Sequence, residues 1–542
     1  MRTPPFDLRF EVQARLKCVL QGLGFGAFTL GLALLVGTAA APTRTSLGIP
    51  VDDLSLRSGR ELAGIYCGAC HLMPEPDLLD RKTWEEQTLP RMLVRVGLAP
   101  EVIESNPESA YLKASGAFPE SPLITKELWN RIAQFYLDTA PVEAIPQAPK
   151  LPIRVGLSTF ERLPVKFRTP TPSTSLVRIL SGTKEVVVGD DFTQSIYVLG
   201  GDGSLKHSMM LSNTVVSMAS MPKGYLVAAI GNFQPAETPK GEVMFIGREG
   251  NEWKAARRLI HPLPRTTDAA VGDLDGDGLP DVVLCKYGNV AGSFSWYRNL
   301  GNDRYEERPL IERSGAIRVV AKDLDGDKDV DLAVLLAQET EALYMMMNDG
   351  KGNFSSRQIF QKHPLFGHTY FELSDINRDG LEDLVVTNGD NGEYASPLKN
   401  YHGVRIYLNR NKERFEEVYF YPLNGAFKAI ARDFDGDGDV DLATIAFFPD
   451  YNQNPRESFV YLENQGQLRF VASTFRECIS GRWLTMDAGD LDGDGDEDLV
   501  LGSYIRGPSP VPRFLMDQWQ SNGPSIAILR NTSKRVVSGV AP

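Results

Sequence analysis

Cysteine is scarce in this chain: five residues in 542, too few and too scattered for a disulfide framework. Histidine is scarcer still, at six. No Ser/His/Asp order and no nucleophile elbow stands out, which leaves acyl-transfer chemistry without a candidate triad. No basic tract is present and the net charge is −13, which argues against nucleic acid as a partner. Six tryptophans are scattered without a repeat. What the chain has is length enough for more than one domain, the 42% hydrophobic content of ordinary globular protein, and a recurring acidic pattern.

The pattern is Asp273-Leu-Asp-Gly-Asp-Gly-Leu-Pro-Asp281, followed directly by Val282-Val-Leu. Carboxylates stand at positions one, three, five and nine: Asp273, Asp275, Asp277 and Asp281. It returns as Asp323, Asp325, Asp327 and Asp331; as Asp375, Asn377, Asp379 and Asp383; as Asp433, Asp435, Asp437 and Asp441; and as Asp490, Asp492, Asp494 and Asp498. Calcium takes six to eight oxygen ligands at about 2.3–2.6 Å, and alternate residues of a curling loop can converge on one ion. Gly278 at position six permits the sharp turn. An EF-hand would need Glu at position twelve, where these copies have Leu284, Val334, Val386, Thr444 and Leu501. The apolar, often β-branched residues after each loop read as strands. Up to five calcium ions are therefore expected. The copy with Lys328 in place of glycine is expected to be the weakest, since an ammonium group would stand beside the ion. A metal-free acidic turn is the alternative reading.

The first aspartates lie 50, 52, 58 and 57 residues apart. Periods of about 40–50 residues with strand content indicate propeller blades. These residues resemble the FG-GAP or VCBS repeats of integrin-α-like propellers, over roughly Leu176 to Ser533. The resemblance implies an all-β propeller of about seven blades. Two early blades, near Val186–Leu199 and Tyr225–Phe233, would lack the full loop. Cys285 and Cys478 fall in different repeats and are expected to be isolated buried thiols.

At the start of the chain, Arg9, Arg15 and Lys17 precede an apolar run from Cys18 to Val36, and small residues follow. This is the plan of a secretory signal, with an uncleaved membrane anchor as the alternative. Cys18 opens the run instead of following it, which is wrong for a lipoprotein. Either outcome makes residues beyond 41 extracytoplasmic, periplasmic or at the cell surface.

Residues 55–141 read as a small helical domain containing Cys67-Gly-Ala-Cys-His71. Cys-x-x-Cys-His is the c-type haem attachment motif, in which two thiols bond the haem and the histidine becomes an iron ligand. A thioredoxin-like pair would need a nearby βαβ pattern, and a zinc site would need further Cys or His. The segment offers neither. Cys67, Cys70 and His71 are thus expected to hold one covalent haem c. Met73 is tied to the wrong haem face, which leaves Met92 as the candidate distal ligand. A core methionine at 92, with water or Lys113 on the iron, remains open. The segment resembles the cytochrome c domains fused to FG-GAP propellers in exported bacterial proteins.

A proline-rich linker at 142–155 is expected before the propeller at 156–534. Long polar loops after β-runs, at 231–240, 388–402, 448–455 and 504–512, are expected to share one propeller face, while His363, His368 and His402 read as structural or surface residues. The expected function is extracytoplasmic electron transfer to a partner or substrate docked on the propeller. The alternatives are a carbohydrate- or protein-binding adhesion module with accessory haem, and a propeller oxidoreductase. Quinoprotein dehydrogenases share only the shape, and their tryptophan-rich repeats are missing here.

Overall fold

The computed structural model describes residues 54–288, 290–392, 397–411, 414–508 and 511–533. The signal or anchor segment expected at 1–41 lies outside them. Among the described residues no helix is long and apolar enough to cross a membrane. The chain divides into two compact units.

The first unit is helical. Helix Gly59–Tyr66 starts at a capping box: the Glu61 amide donates to Ser58 Oγ (3.3 Å), and the Ser58 amide donates to Glu61 Oε2 (2.8 Å). Helix Lys126–Thr139 is capped by Thr125 and buries Leu128, Trp129, Ile132 and Tyr136. The expected apolar stripe shifts here: Tyr136 takes the inward place and Phe135 is only half-buried. The two helices cross at Gly59, where a Cβ would fall 2.3 Å from the Arg131 carbonyl oxygen. No side chain larger than hydrogen fits there without a backbone shift. Trp84 and Tyr136 pack with ring centroids 4.3 Å apart, and each donates to a buried carbonyl, of Pro76 and Pro74.

The second unit is a β-propeller of seven sheets. Blade 1 comprises strands Thr174–Leu180, Glu185–Asp190, Ser195–Gly200 and Leu205–Met210. Blade 2 spans Val215 to Leu263, blade 3 Thr266 to Ile311, blade 4 Ala316 to Gln361 and blade 5 His368 to Pro422. Blade 6 runs from Ala426 to Thr474, and blade 7 from Trp483 to Asn531. The second strand of blades 1 and 3–7 is buried along its whole length, which is why those segments are continuous apolar runs. Seven apolar clusters, one for each pair of neighbouring blades, complete the ring without a gap.

Closure comes from residues ahead of blade 1. Strand Phe160–Leu163 pairs antiparallel with Ile526–Asn531 and supplies the outer strand of blade 7. Just before it, Arg154–Val155 adds a parallel fifth strand to blade 6. The proline-rich segment is held too: Gln147 donates to the His402 carbonyl (2.9 Å), and Lys150 pairs with the buried Glu457. The propeller unit accordingly begins at Ala144, within the expected linker.

Candidate functional site

All five aspartate loops join the first strand of a blade to the second, in blades 3 to 7. They therefore share one face of the ring. Their last carboxylate is the best anchored. Asp281 opens the second strand of blade 3 and is fully buried. Its Oδ2 accepts from the Leu274 amide (3.1 Å) and its Oδ1 from the Asn299 amide (2.7 Å). Asp331, Asp383, Asp441 and Asp498 repeat both bonds, with Asn348, Asn409, Asn464 and Asn531 at the end of the third strand. Each of these asparagines returns a side-chain bond to the carbonyl just before its aspartate. Burial raises the pKa of all five aspartates, to about 7 for Asp441 and about 6 for Asp498.

The other carboxylates curl toward this anchor. One oxygen each from Asp273, Asp275 and Asp281 lies within 4.8 Å of the others. The same holds for Asp323, Asp325 and Asp331, for Asp490, Asp492 and Asp498, and for Asp433, Asp435 and Asp437. Two oxygens on opposite sides of one calcium ion, each at about 2.4 Å, would be about 4.8 Å apart, so these donor sets fit that ion. Asp277, Asp327 and Asp494 do not join the triads of their own loops, nor does Asp441. In blade 5, Asn377 donates to Asp379 Oδ2 (2.9 Å), and Asp375 accepts from the Asp379 and Gly380 amides.

Arginines enter the loops, a feature the sequence reading missed. Arg298 pairs with Asp275 and lies 3.3 Å from Asp277. Arg530 lies 3.2 Å from Asp492, and Arg378 reaches from blade 5 to Asp433 (3.3 Å). The signal was available, because Arg298 and Arg530 directly precede the repeated asparagine. Lys328, by contrast, forms no ion pair with the loop among the described residues; it adopts a left-handed backbone, φ +81°, as the glycines at that position do.

On the opposite face run the connections between second and third strands. The four polar loops singled out from sequence are all of this type. Loops of blades 1, 2, 6 and 7 converge: Phe233 stacks on Tyr504 (4.5 Å), whose hydroxyl donates to Asp191 (2.8 Å). The fully buried Arg482 lies over Phe447 (3.9 Å) and donates to the Pro508 carbonyl (2.8 Å). His368 and His402 are buried, not on the surface. His368 Nδ1 lies 2.7 Å from Glu341, whose carboxyl burial pushes up to about 8. Cys285 and Cys478 are buried free thiols, as expected.

In the helical unit, Cys67, Cys70 and His71 follow the capped helix directly. His71 Nδ1 sits 2.9 Å from the Leu72 carbonyl oxygen, the partner an Nδ1–H tautomer would use, which leaves Nε2 to act as a ligand. Burial lowers the His71 pKa and favours the neutral imidazole that binds metals. Desolvation pushes the Cys67 thiol up to about 12. Among the described residues neither cysteine is in a disulfide. Tyr66 Oη and Gln87 Oε1 are buried without a hydrogen-bond partner among the described residues, the kind of orphaned polar group that calls for a partner outside the chain. The residues present therefore fit a covalently held haem. Met92 stands half-buried in helix Leu89–Arg95.

Comparison with known proteins adds the following. A family model described as an FG-GAP-like repeat matches residues 273–334, 323–386, 375–444 and 433–501. No curated protein matches the chain. Among solved structures, the chain is similar to the β-propeller domain of Cps50 (Swd1) from Myceliophteria thermophila, at 8% identity and TM-score 0.43, covering 68% of this chain and 99% of that one. It is also similar to Saccharomyces cerevisiae Sqt1, at 10% identity and TM-score 0.42, covering 69% and 99%. Every matched window begins at the first aspartate of a loop and runs past the next one, so residues 273–501 carry FG-GAP-like repeats within a seven-bladed β-propeller.

Proposed function

We propose that this chain is an extracytoplasmic c-type cytochrome whose FG-GAP propeller is its binding module. The observation that carries the haem reading is the His71 ring, whose Nδ1 is occupied by a backbone carbonyl in a segment that also holds Cys67 and Cys70, neither in a disulfide. Cys67 and Cys70 would hold the haem through thioether bonds, and His71 and Met92 would ligate its iron. A haem so bound supplies a one-electron couple. The chain itself orients the His71 ring and keeps its imidazole neutral. The aspartate loops would take calcium, and a redox partner or a polysaccharide would dock on the face of long loops. The basic, apolar and small-residue order of residues 9–42 supports export.

Acid–acetone extraction followed by a haem-stained denaturing gel tests the first part. Haem is expected to stay with the polypeptide, and to be lost in Cys67→Ala/Cys70→Ala. Haem that leaves with the solvent sinks covalent attachment. In the oxidised spectrum, a Met–iron band should disappear in Met92→Ala.

A second reading, an adhesion module with accessory haem, is favoured by the four long loops gathered on one face. A haem that no donor protein or substrate reduces would select it.

A further inference from the structure

A cleft of about 420 Å³ opens at the junction of blades 1 and 2, the two blades without an aspartate loop. It is built from connections between second and third strands, the crossing from blade 1 to blade 2, and the end of strand Glu252–Leu263. It thus lies on the face of long loops, opposite the aspartate loops.

Its floor is polar, buried and rigid. Asn213 Nδ2 donates to Glu242 Oε1 (2.9 Å) and to the Lys240 carbonyl (3.0 Å). Asn213 Oδ1 accepts from the amides of Thr214 and Gly231. Glu242 Oε2 is met by Arg258 Nε at 2.5 Å. Asn213 and Glu242 are both buried, so the floor does not rearrange cheaply. The rim is exposed and uncommitted. Among the described residues, neither the Lys240 ammonium nor the Gln194 amide has a side-chain hydrogen bond or ion pair, and Ser212 and His261 complete the edge.

Most small-molecule pockets are largely apolar. This one offers amides, a hydroxyl, a carboxylate and two cations, with Pro262 the only apolar side chain on its wall. That mixture of donors and acceptors suits a ligand covered in hydroxyl groups. Lys240 and Arg258 against Glu242 leave one net positive charge, which matches a single carboxylate better than a phosphate dianion. The volume lies within the range of ligand pockets and admits a short oligosaccharide. We infer that this cleft binds a carboxylated saccharide, with Lys240 contacting the uronate carboxylate and Gln194 and Ser212 its hydroxyls. The inference rests on the reading of the propeller as a binding module.

The test is calorimetry on the full chain, titrated with a hexasaccharide of alternating glucuronate and N-acetylglucosamine. The same hexasaccharide with its carboxylates reduced to alcohols is the neutral control. The acid is expected to bind at least tenfold more tightly than the alcohol, and less tightly at high salt. Lys240→Glu should weaken the acid at least tenfold and leave the alcohol within about twofold. Lys166→Glu, an exposed site with the same charge change, should leave both unaltered; a matching Tm for each variant confirms folding. Equal binding of acid and alcohol would overturn the inference. Binding that Lys240→Glu does not touch would remove this cleft while leaving the propeller a binding module. No binding of either probe at millimolar concentration would overturn the inference, and the binding-module reading would then be judged on the docked redox partner alone.

Discussion

Blades 1 and 3 solve the same problem by different chemistry. In both, an acid opens the second strand at its buried end: Glu185 in blade 1, Asp281 in blade 3. Glu185 is met by Arg248, 2.7 Å away on blade 2, and by Thr183. Asp281 is met by two backbone amides, and its neighbours in the loop add further negative charge. The acid of the first blade is neutralised by an arginine of the second. Blades 3 to 7 gather carboxylates faster than they gather counter-charge, and a hard cation would remove that deficit. Arg298 and Arg530 offset it partly in blades 3 and 7; the third strand of blade 4 places Met347 at that position. The ring therefore divides into a part expected to ignore calcium and a part expected to depend on it.

Removing calcium with a chelator, at matched ionic strength, should have the largest effect. Each occupied site adds RT ln(1 + [L]/Kd), about 2.7 kcal/mol at a hundredfold excess of free ion. Several sites unfolding together should lower the propeller's Tm by many degrees and leave the haem spectrum unaltered. Hydrogen exchange should rise in the second strands of blades 3 to 7 and little in Glu185–Asp190. A melting curve indifferent to the chelator would make the loops acidic turns and erase the distinction.

Point substitutions separate anchor from ligand. Asp441→Ala orphans two backbone amides and the Tyr461 hydroxyl, at about 1–3 kcal/mol for each buried group. Its loss should persist without calcium. Asp437→Ala removes an exposed carboxylate whose bond in the loop is to the Asp439 amide. It should cost under about 1 kcal/mol in chelator and more with calcium present. Equal losses in both conditions would show that position five is no ligand.

The smallest effect is expected from Lys328→Gly. A left-handed backbone costs a non-glycine residue about 1–2 kcal/mol, partly offset by the entropy glycine loses on folding. A gain of about 0.5–1 kcal/mol, read as a higher urea midpoint, is expected with or without calcium. A gain seen only with calcium would restore the ammonium as the reason for a weaker site.

Most of this architecture could be read from the chain. The aspartate spacing carried the blade period, and the apolar runs behind each loop marked second strands because those are buried on both faces. The face shared by the long loops followed from their position after those runs. The asparagine that closes each loop escaped notice because the segments around it, from Trp296-Tyr-Arg-Asn299 to Ile528-Leu-Arg-Asn531, share little else. Charges on the inner strands were equally opaque. Arg318 meets Asp268 (2.9 Å) and Tyr370 (3.2 Å), residues of three consecutive blades that only the packing of neighbouring blades brings together. Blades 1 and 2 carry no aspartate loop, so of the cleft between them only the polar loop 231–240 stood out in the sequence.

The strand Phe160–Leu163 sets the order in which this molecule can be completed. Its partner, Ile526–Asn531, is the last strand among the described residues. A chain emerging from the ribosome, or threading through an export channel, can finish blades 1 to 5 as it goes. Phe160 must wait until Asn531 arrives, and loop closure over such a separation is entropically slow. Until then the apolar faces of Phe160 and Leu163 stay open to solvent, and so does the seam between blades 7 and 1. Closure of the ring is thus decided late, and a protein lacking strand Ile526–Asn531 would be an unlatched ring instead of a smaller one.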